Sequence, residues 1–181
     1  MNDYQLLKKT APKMLDKITM EEKRELLAKS KWTLDSYWMM AVAMNSGWDI
    51  ANQMNLQVAQ RTSKVEMLRL VKLLNMEKIK DRNEFMILFE IAMQTLLPQE
   101  YFDYEFQFQS PDKGIGIMKR CYAHTKVKSI NVDKDYQCGC FGIRAGWYEA
   151  MGVTVKETMI KCLKDGNSRC ETVIENITFL S

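Results

Sequence analysis

Four of the five cysteines lie beyond residue 137, as Cys138-Gly-Cys140, Cys162 and Cys170, and the fifth, Cys121, stands not far upstream. Thiolates are soft ligands that suit Zn²⁺ and iron–sulfur centres. A closed structural zinc site takes four ligands, usually Cys and His, and the chain holds five Cys and a single His, His124. No CxxC pair occurs, so the spacing is not that of a zinc finger. Free cysteine also behaves as a small buried hydrophobe, which is the competing expectation for any one of these residues. Clustering argues against it. So does the solvated turn Asp165-Gly-Asn-Ser-Arg-Cys170, which a core cysteine would not be expected to close. Cys138, Cys162, Cys170, Cys140 and Cys121 are therefore the candidate ligands, with His124 behind them. Zinc is the expected ion. An iron–sulfur cluster uses thiolates in similar number, but a Cys-x-Cys pair is unusual for it.

The same thiols admit a catalytic reading. Hydrolysis or thiol chemistry needs a nucleophile and a base within hydrogen-bond reach, and Cys121 lies three residues from His124. If 115–126 is a strand, those side chains point to opposite faces and do not pair. An activated thiolate would then need a cationic neighbour, which Lys119, Arg120 or Lys126 could supply. No Gly-rich phosphate loop, HExxH or GxSxG is present.

These residues need elements to hold them. Apolar residues make up 46% of the 181 and charged ones 27%, the composition of a globular protein able to bury one core. The net charge of +3 is too small for the basic stripe of a nucleic-acid binder. No apolar run approaches the roughly 20 residues of a membrane span, and the first residues lack the apolar stretch of a signal peptide. The cytoplasm, where thiols stay reduced, is the expected compartment. Fourteen methionines suit an adaptable core or an apolar pocket.

A single α+β domain over 1–181 is expected, dividing near Pro98 into a helical half (1–98) and a second half (99–181). Thr19 with Glu22 forms a capping box opening a helix over Met20–Lys31. A second helix runs from Trp32 to Met44, with a break at Ser46-Gly47. Further helices are expected from Asp49 toward Arg61, from a cap at Ser63 and Glu66, and from a cap at Asp81 and Glu84, stopped by Pro98. Beyond it, Tyr101–Gln109 alternates apolar and polar residues and reads as a half-buried strand. It is expected to pair with Ile115–Lys126 as an antiparallel hairpin. Phe141–Met151 is a helix with Gly142 and Gly146 on one side, free to approach a neighbour closely, and Gly152 as its left-handed cap. Val153–Lys164 and Cys170–Phe179 are the last two strands.

From Cys138 to Ile177 the order of parts resembles the small-molecule-binding domain of the 4-vinyl reductase family. The shared parts are a cysteine, a Gly-x-x-x-Gly-aromatic helix (Gly142, Gly146, Trp147, Tyr148), and two cysteines eight apart (Cys162 and Cys170) around a glycine turn. The resemblance implies that Cys138, Cys162 and Cys170 hold a structural zinc beside a pocket for a small aromatic ligand. The family's fourth ligand is a glutamate where this chain has Met159. Glu157, Cys140 or Cys121 stands as the replacement. The implied pocket lies between the Gly142–Met151 helix, the sheet and the helical half, with Trp147, Phe141 and Tyr122 as walls and Trp38 opposite. Over about residues 30–178 the chain also resembles an uncharacterised bacterial and archaeal family related to the L-2-amino-thiazoline-4-carboxylic acid hydrolase-like group. The residues that carry this likeness are Cys121-Tyr-Ala-His124 and Asp135-Tyr-Gln-Cys138. The combined expectation is a sensor-type protein for an apolar or aromatic ligand with a cysteine-bound zinc. A hydrolase-like or thiol-dependent enzyme is the alternative, and a second copy of the chain is a candidate partner.

Overall fold

The computed structural model describes residues 3–76, 79–97, 100–110 and 112–179, with side chains from residue 5 onward. Helices α1 (Asp3–Leu15), α2 (Met20–Ser46), α3 (Trp48–Leu73) and α4 (Arg82–Leu96) precede strands β1 (Phe102–Ser110) and β2 (Lys113–Cys121). Helices α5 (Tyr122–Ser129) and α6 (Cys140–Met151) follow, then β3 (Val153–Lys161), a 3₁₀ turn (Leu163–Asp165) and β4 (Cys170–Phe179). The four strands form an antiparallel sheet in the order β1-β2-β4-β3. This is the α+β class the periodicity predicts. Pro98, expected to end a helix, lies outside the described residues.

Local signals explain where the helices begin. At Thr19 the capping box closes: Glu22 N–H donates to Thr19 Oγ1 at 3.1 Å, and Thr19 N–H to Glu22 Oε2 at 2.8 Å. Asp81 Oδ1 accepts from the N–H groups of Asn83 and Glu84, while Glu84 reaches back to Lys80 N–H at 2.8 Å. Gly47 takes φ +84° between α2 and α3, a left-handed turn that an L side chain resists.

Helix boundaries inside α2 and α3 differ from those expected. Met20–Lys31 and Trp32–Met44 are one helix, because Ser30 and Ser36 turn their hydroxyls inward to Leu26 O and Trp32 O, each at 2.8 Å. A serine that bonds back four residues continues a helix instead of capping a new one. Ser63 does the same, donating to Ala59 O at 2.6 Å while buried, so it lies inside α3 and starts no helix.

The hairpin forms, with Phe102↔Cys121 at one end and Ser110↔Lys113 at the other. Its second strand is shorter than the expected Ile115–Lys126. β1 offers no described partner beyond Phe102, and β2 meets β4 only as far as Met118↔Cys170. The chain after Cys121 therefore satisfies its backbone as helix α5, which carries His124. β3 likewise ends at Lys161, short of Lys164, where the 3₁₀ turn takes over.

The chain gathers into two units, Met1–Met40 and Ala41–Ser181, so the division falls inside α2. In the first unit Met39 is buried, while Leu27, Leu34 and Tyr37 are exposed. The second unit holds a core of Met67, Phe85, Leu88, Phe89, Trp147 and Ile174. Each such side chain contributes about 1.5–3 kcal/mol by leaving water. Phe89 meets Trp147 edge-on, with centroids 5.5 Å apart at 84°. Helix α6 packs on α3 through its glycines. A Cβ on Gly142 would stand 2.5 Å from Leu56 O, and one on Gly146 would collide with Gln60 O and Ser63 Oγ. That contact sets the depth at which α6 presents its other face to the sheet.

Candidate functional site

The segment entering α6 is pinned from α3 by two asparagines. Asn52 is buried, donates to Asp135 O at 2.8 Å and accepts from Gln137 N–H at 2.8 Å. Asn55 Nδ2 donates to Gln137 O at 3.3 Å. Buried amides rarely lack partners, and these two spend theirs fixing the residues just before Cys138. Tyr136 adds a brace: its OH accepts from Gly139 N–H at 3.3 Å, and its carbonyl accepts from Lys164 Nζ at 2.7 Å. Burial, reinforced by the Cys138 thiol, keeps the Tyr136 phenol protonated.

Beneath this segment lies a cavity of about 120 Å³, walled by α4, α6 and the sheet. Phe89, Met93, Phe106, Ile143, Trp147 and Ile174 supply its apolar wall. All five cysteines also line it, together with His124, Tyr136, Arg144 and Met159. Cysteines far apart in sequence thus share one space. Of the aromatic residues expected at a pocket, Trp147 is in the wall, fully buried, and its Nε1 meets no acceptor among the described residues. Tyr122 packs on Tyr101 with centroids 5.5 Å apart, and Phe141 lies under the Arg144 guanidinium at 5.0 Å. Neither is among the described wall residues. Trp38 is a half-buried residue of the first unit.

The thiols differ in their electrostatics. A hydrogen bond from the Cys138 thiol, aided by the Arg144 guanidinium, pulls Cys140 down to about 6 against the cost of burial. The same hydrogen bond, then burial, holds Cys138 well above the ordinary thiol value. Burial pushes Cys170 up to about 12 and also raises Cys121, although the N–H groups of His124 and Ala123 face its sulfur. His124 is lowered by burial and by Lys128. The expected opposition of Cys121 and His124 on two strand faces is corrected, since His124 is helical. The contact between them runs through the His124 backbone N–H, and a raised thiol is not an activated one.

Cys170 donates its S–H to Cys162, with the sulfurs 3.9 Å apart. Two sulfurs on one tetrahedral Zn²⁺, with bonds of about 2.3 Å, stand about 3.8 Å apart, so this pair has ligand spacing. Among the described residues no three His, Cys, Asp or Glu side chains are grouped as a metal ion needs. Glu157 is committed elsewhere: Arg144 Nε reaches it at 2.6 Å and Tyr148 OH at 2.7 Å. Met159, at the position of the resemblance's glutamate, accepts from Thr172 Oγ1 at 3.6 Å.

Sequence reasoning singled out the cysteines but missed Arg144, Asn52, Asn55 and Tyr136. Arg144 had a partial signal, standing four residues from Cys140, which is one turn away on the same face once the helix starts at Cys140 instead of the expected Phe141. The asparagines had none, because their partners lie more than 80 residues away.

No protein-family model and no curated protein matches this chain, so neither family resemblance gains support there. Solved structures do match. A trafficking protein particle complex subunit 3 from Naegleria fowleri, covalently bound to palmitic acid, aligns at TM-score 0.53 and 10% identity, covering 89% of this chain and 99% of that one. A structure concerned with H-NOX activation aligns at TM-score 0.47 and 16% identity, covering 79% of this chain and 72% of that chain. The first likeness is one of fold. Within that α+β fold, this chain carries a partly open cavity whose wall is apolar and rich in thiols.

Proposed function

We propose that the chain is a small-molecule-binding domain whose site is the thiol-walled cavity, and that its ligand is apolar and about the size of one aromatic ring. The observation that carries this reading is the cavity itself, about 120 Å³ and walled by Phe89, Met93, Phe106, Ile143 and Trp147. Ligand sites are mainly apolar with a few polar groups. An apolar cavity of about 150 Å³ admits benzene, so the volume favours a single ring or a short chain. The palmitic acid on the trafficking-complex subunit supports the idea that this fold can hold an apolar group. It is far longer than this cavity would accommodate. A sensor role, with output through a partner protein or a second copy, is the finer form of the proposal. A structural zinc on Cys138, Cys162 and Cys170, with Cys140 or Cys121 as the fourth ligand, is its cofactor. The 3.9 Å sulfur separation supports that choice.

A thermal-shift screen of single-ring aromatics and short fatty acids tests the ligand. Rings should raise the melting temperature and long chains should not. Metal analysis of the purified protein tests the zinc, with about one equivalent expected. A thiol-dependent enzyme is the second reading, favoured by Cys140, whose sulfur is held ionised by Cys138 and Arg144. Loss of turnover in Cys140→Ser, with ring binding retained, would favour it over a binding protein.

A further inference from the structure

We propose that Cys162 and Cys170 are a modification site at which a two-electron oxidant of the peroxide class joins the two sulfurs as a disulfide. The argument begins with register. β3 and β4 pair antiparallel, and the last step of their ladder is Lys161↔Glu171. Next come Cys162, just past the end of β3, and Cys170, the first residue of β4, and continuing the same register sets them opposite one another. Opposed residues in an antiparallel ladder have Cα atoms about 4.5–5.5 Å apart, inside the range of about 4.4–6.8 Å that a disulfide spans. The extended backbone at Cys162, φ −135° and ψ 136°, continues that geometry. The sulfurs are 3.9 Å apart, and side-chain rotation has to close only the gap to a bond of about 2.05 Å.

The surrounding bonds hold the pair in place. Leu163 N–H donates to Cys170 Sγ at 3.2 Å. Cys162 O accepts from Asp165 N–H at 3.1 Å and from Asn167 Nδ2 at 3.1 Å. Both thiols are half-buried, within reach of an oxidant the size of hydrogen peroxide. Each sulfur accepts one hydrogen bond and keeps a second lone pair, and the step is written for Cys162, the acceptor of the Cys170 S–H. Its sulfur takes one peroxide oxygen, the O–O bond breaks, and the departing hydroxide leaves as water with the Cys162 proton. Cys162 is then a sulfenic acid. Cys170 Sγ displaces that hydroxyl, which leaves as a second water with the Cys170 proton, and the S–S bond forms. Two thiols lose two electrons and one peroxide gains them.

The proposal does not depend on the ring-binding reading, and it concerns the metal-free chain, since a zinc on these two sulfurs and a disulfide between them exclude one another. The test uses the full chain, reduced, treated with a chelator to remove metal, and exposed to one equivalent of hydrogen peroxide. Free thiols are then alkylated and the protein is digested without reductant. The expected product is a cross-link between the peptides of Cys162 and Cys170, about 2 Da lighter for the two hydrogens lost and reversed by dithiothreitol. It should persist in the Cys138→Ser/Cys140→Ser double variant. In Cys170→Ser, the Cys162 sulfenic acid should be trapped by dimedone. Cys162 and Cys170 recovered as free thiols, as sulfinic acids, or linked to other cysteines would each overturn it.

Discussion

Cys140 owes its character to two neighbours that the chain delivers by different routes. Cys138 comes from the pinned loop, and Arg144 from one turn further along α6. The thiolate, not the thiol, is the nucleophile, so reactivity should follow ionisation. In metal-free protein, iodoacetamide should alkylate Cys140 fastest of the five. Because its value is lowered to about 6, the rate should rise as pH climbs through that value and fall below it, where the thiol is protonated. Cys121 and Cys170, both raised, should lag at neutral pH. Arg144→Gln should move the Cys140 midpoint upward, as read by peptide-resolved mass spectrometry across a pH series. Asn52 carries a different load. Removing its two bonds to the loop in Asn52→Ala leaves Asp135 O and Gln137 N–H without this partner, at a cost of about 1–3 kcal/mol. Urea denaturation should show that loss, and hydrogen exchange at the Gln137 amide should speed up. Residue type alone flagged the cysteines. Their unequal ionisation was not legible, since it depends on burial and on neighbours that only the fold brings together.

At the scale of elements, α6 is the part on which the site hangs. Its glycines lie against the α3 backbone, and the opposite side of the helix gives Ile143, Arg144 and Trp147 to the cavity. Gly146→Ala has no room to relax, because the atoms in its way are the backbone of Gln60 and Lys64 as well as the Ser63 hydroxyl. Overpacking of this kind costs about 1–3 kcal/mol, and with backbone as the obstacle the upper end is expected. Equilibrium unfolding of Gly146→Ala should show it, and α6 should tilt enough to weaken ring binding. The glycine spacing, the Thr19–Glu22 box, the Asp81 cap and the left-handed Gly152 were all readable, since each is a local rule at fixed offsets. The joins inside α2 and α3 were not. A serine followed by a glutamate reads as a cap, and only tertiary burial turns Ser63 into an interior residue. The end of β2 was equally hidden, because a strand stops where its ladder partners stop.

At the scale of the molecule, the expected helical half and antiparallel sheet are present, and the cavity lies in the unit from Ala41 onward. Among the described residues no helix is long and apolar enough to cross a membrane. The distribution of cysteines along the chain hinted at one site. Composition and periodicity did not reveal that β2, α6, the 3₁₀ turn and β4 would all face a single small space. The central claim is that this space binds a ring-sized apolar molecule. Gly116 lines it, and a Cβ there would meet only ordinary contacts, 3.7 Å from Phe106 and 3.9 Å from Thr172 O. Gly116→Val therefore fills the cavity with a residue suited to a strand. The most direct measurement is titration calorimetry of a single-ring aromatic such as phenol into the wild type and into Gly116→Val, with melting temperatures recorded alongside. The account predicts saturable binding to the wild type, a gain of about 2.7 kcal/mol in stability at a hundredfold excess over Kd, and loss of both in Gly116→Val. Equal binding to the two proteins, or none across a panel of such rings, would contradict it.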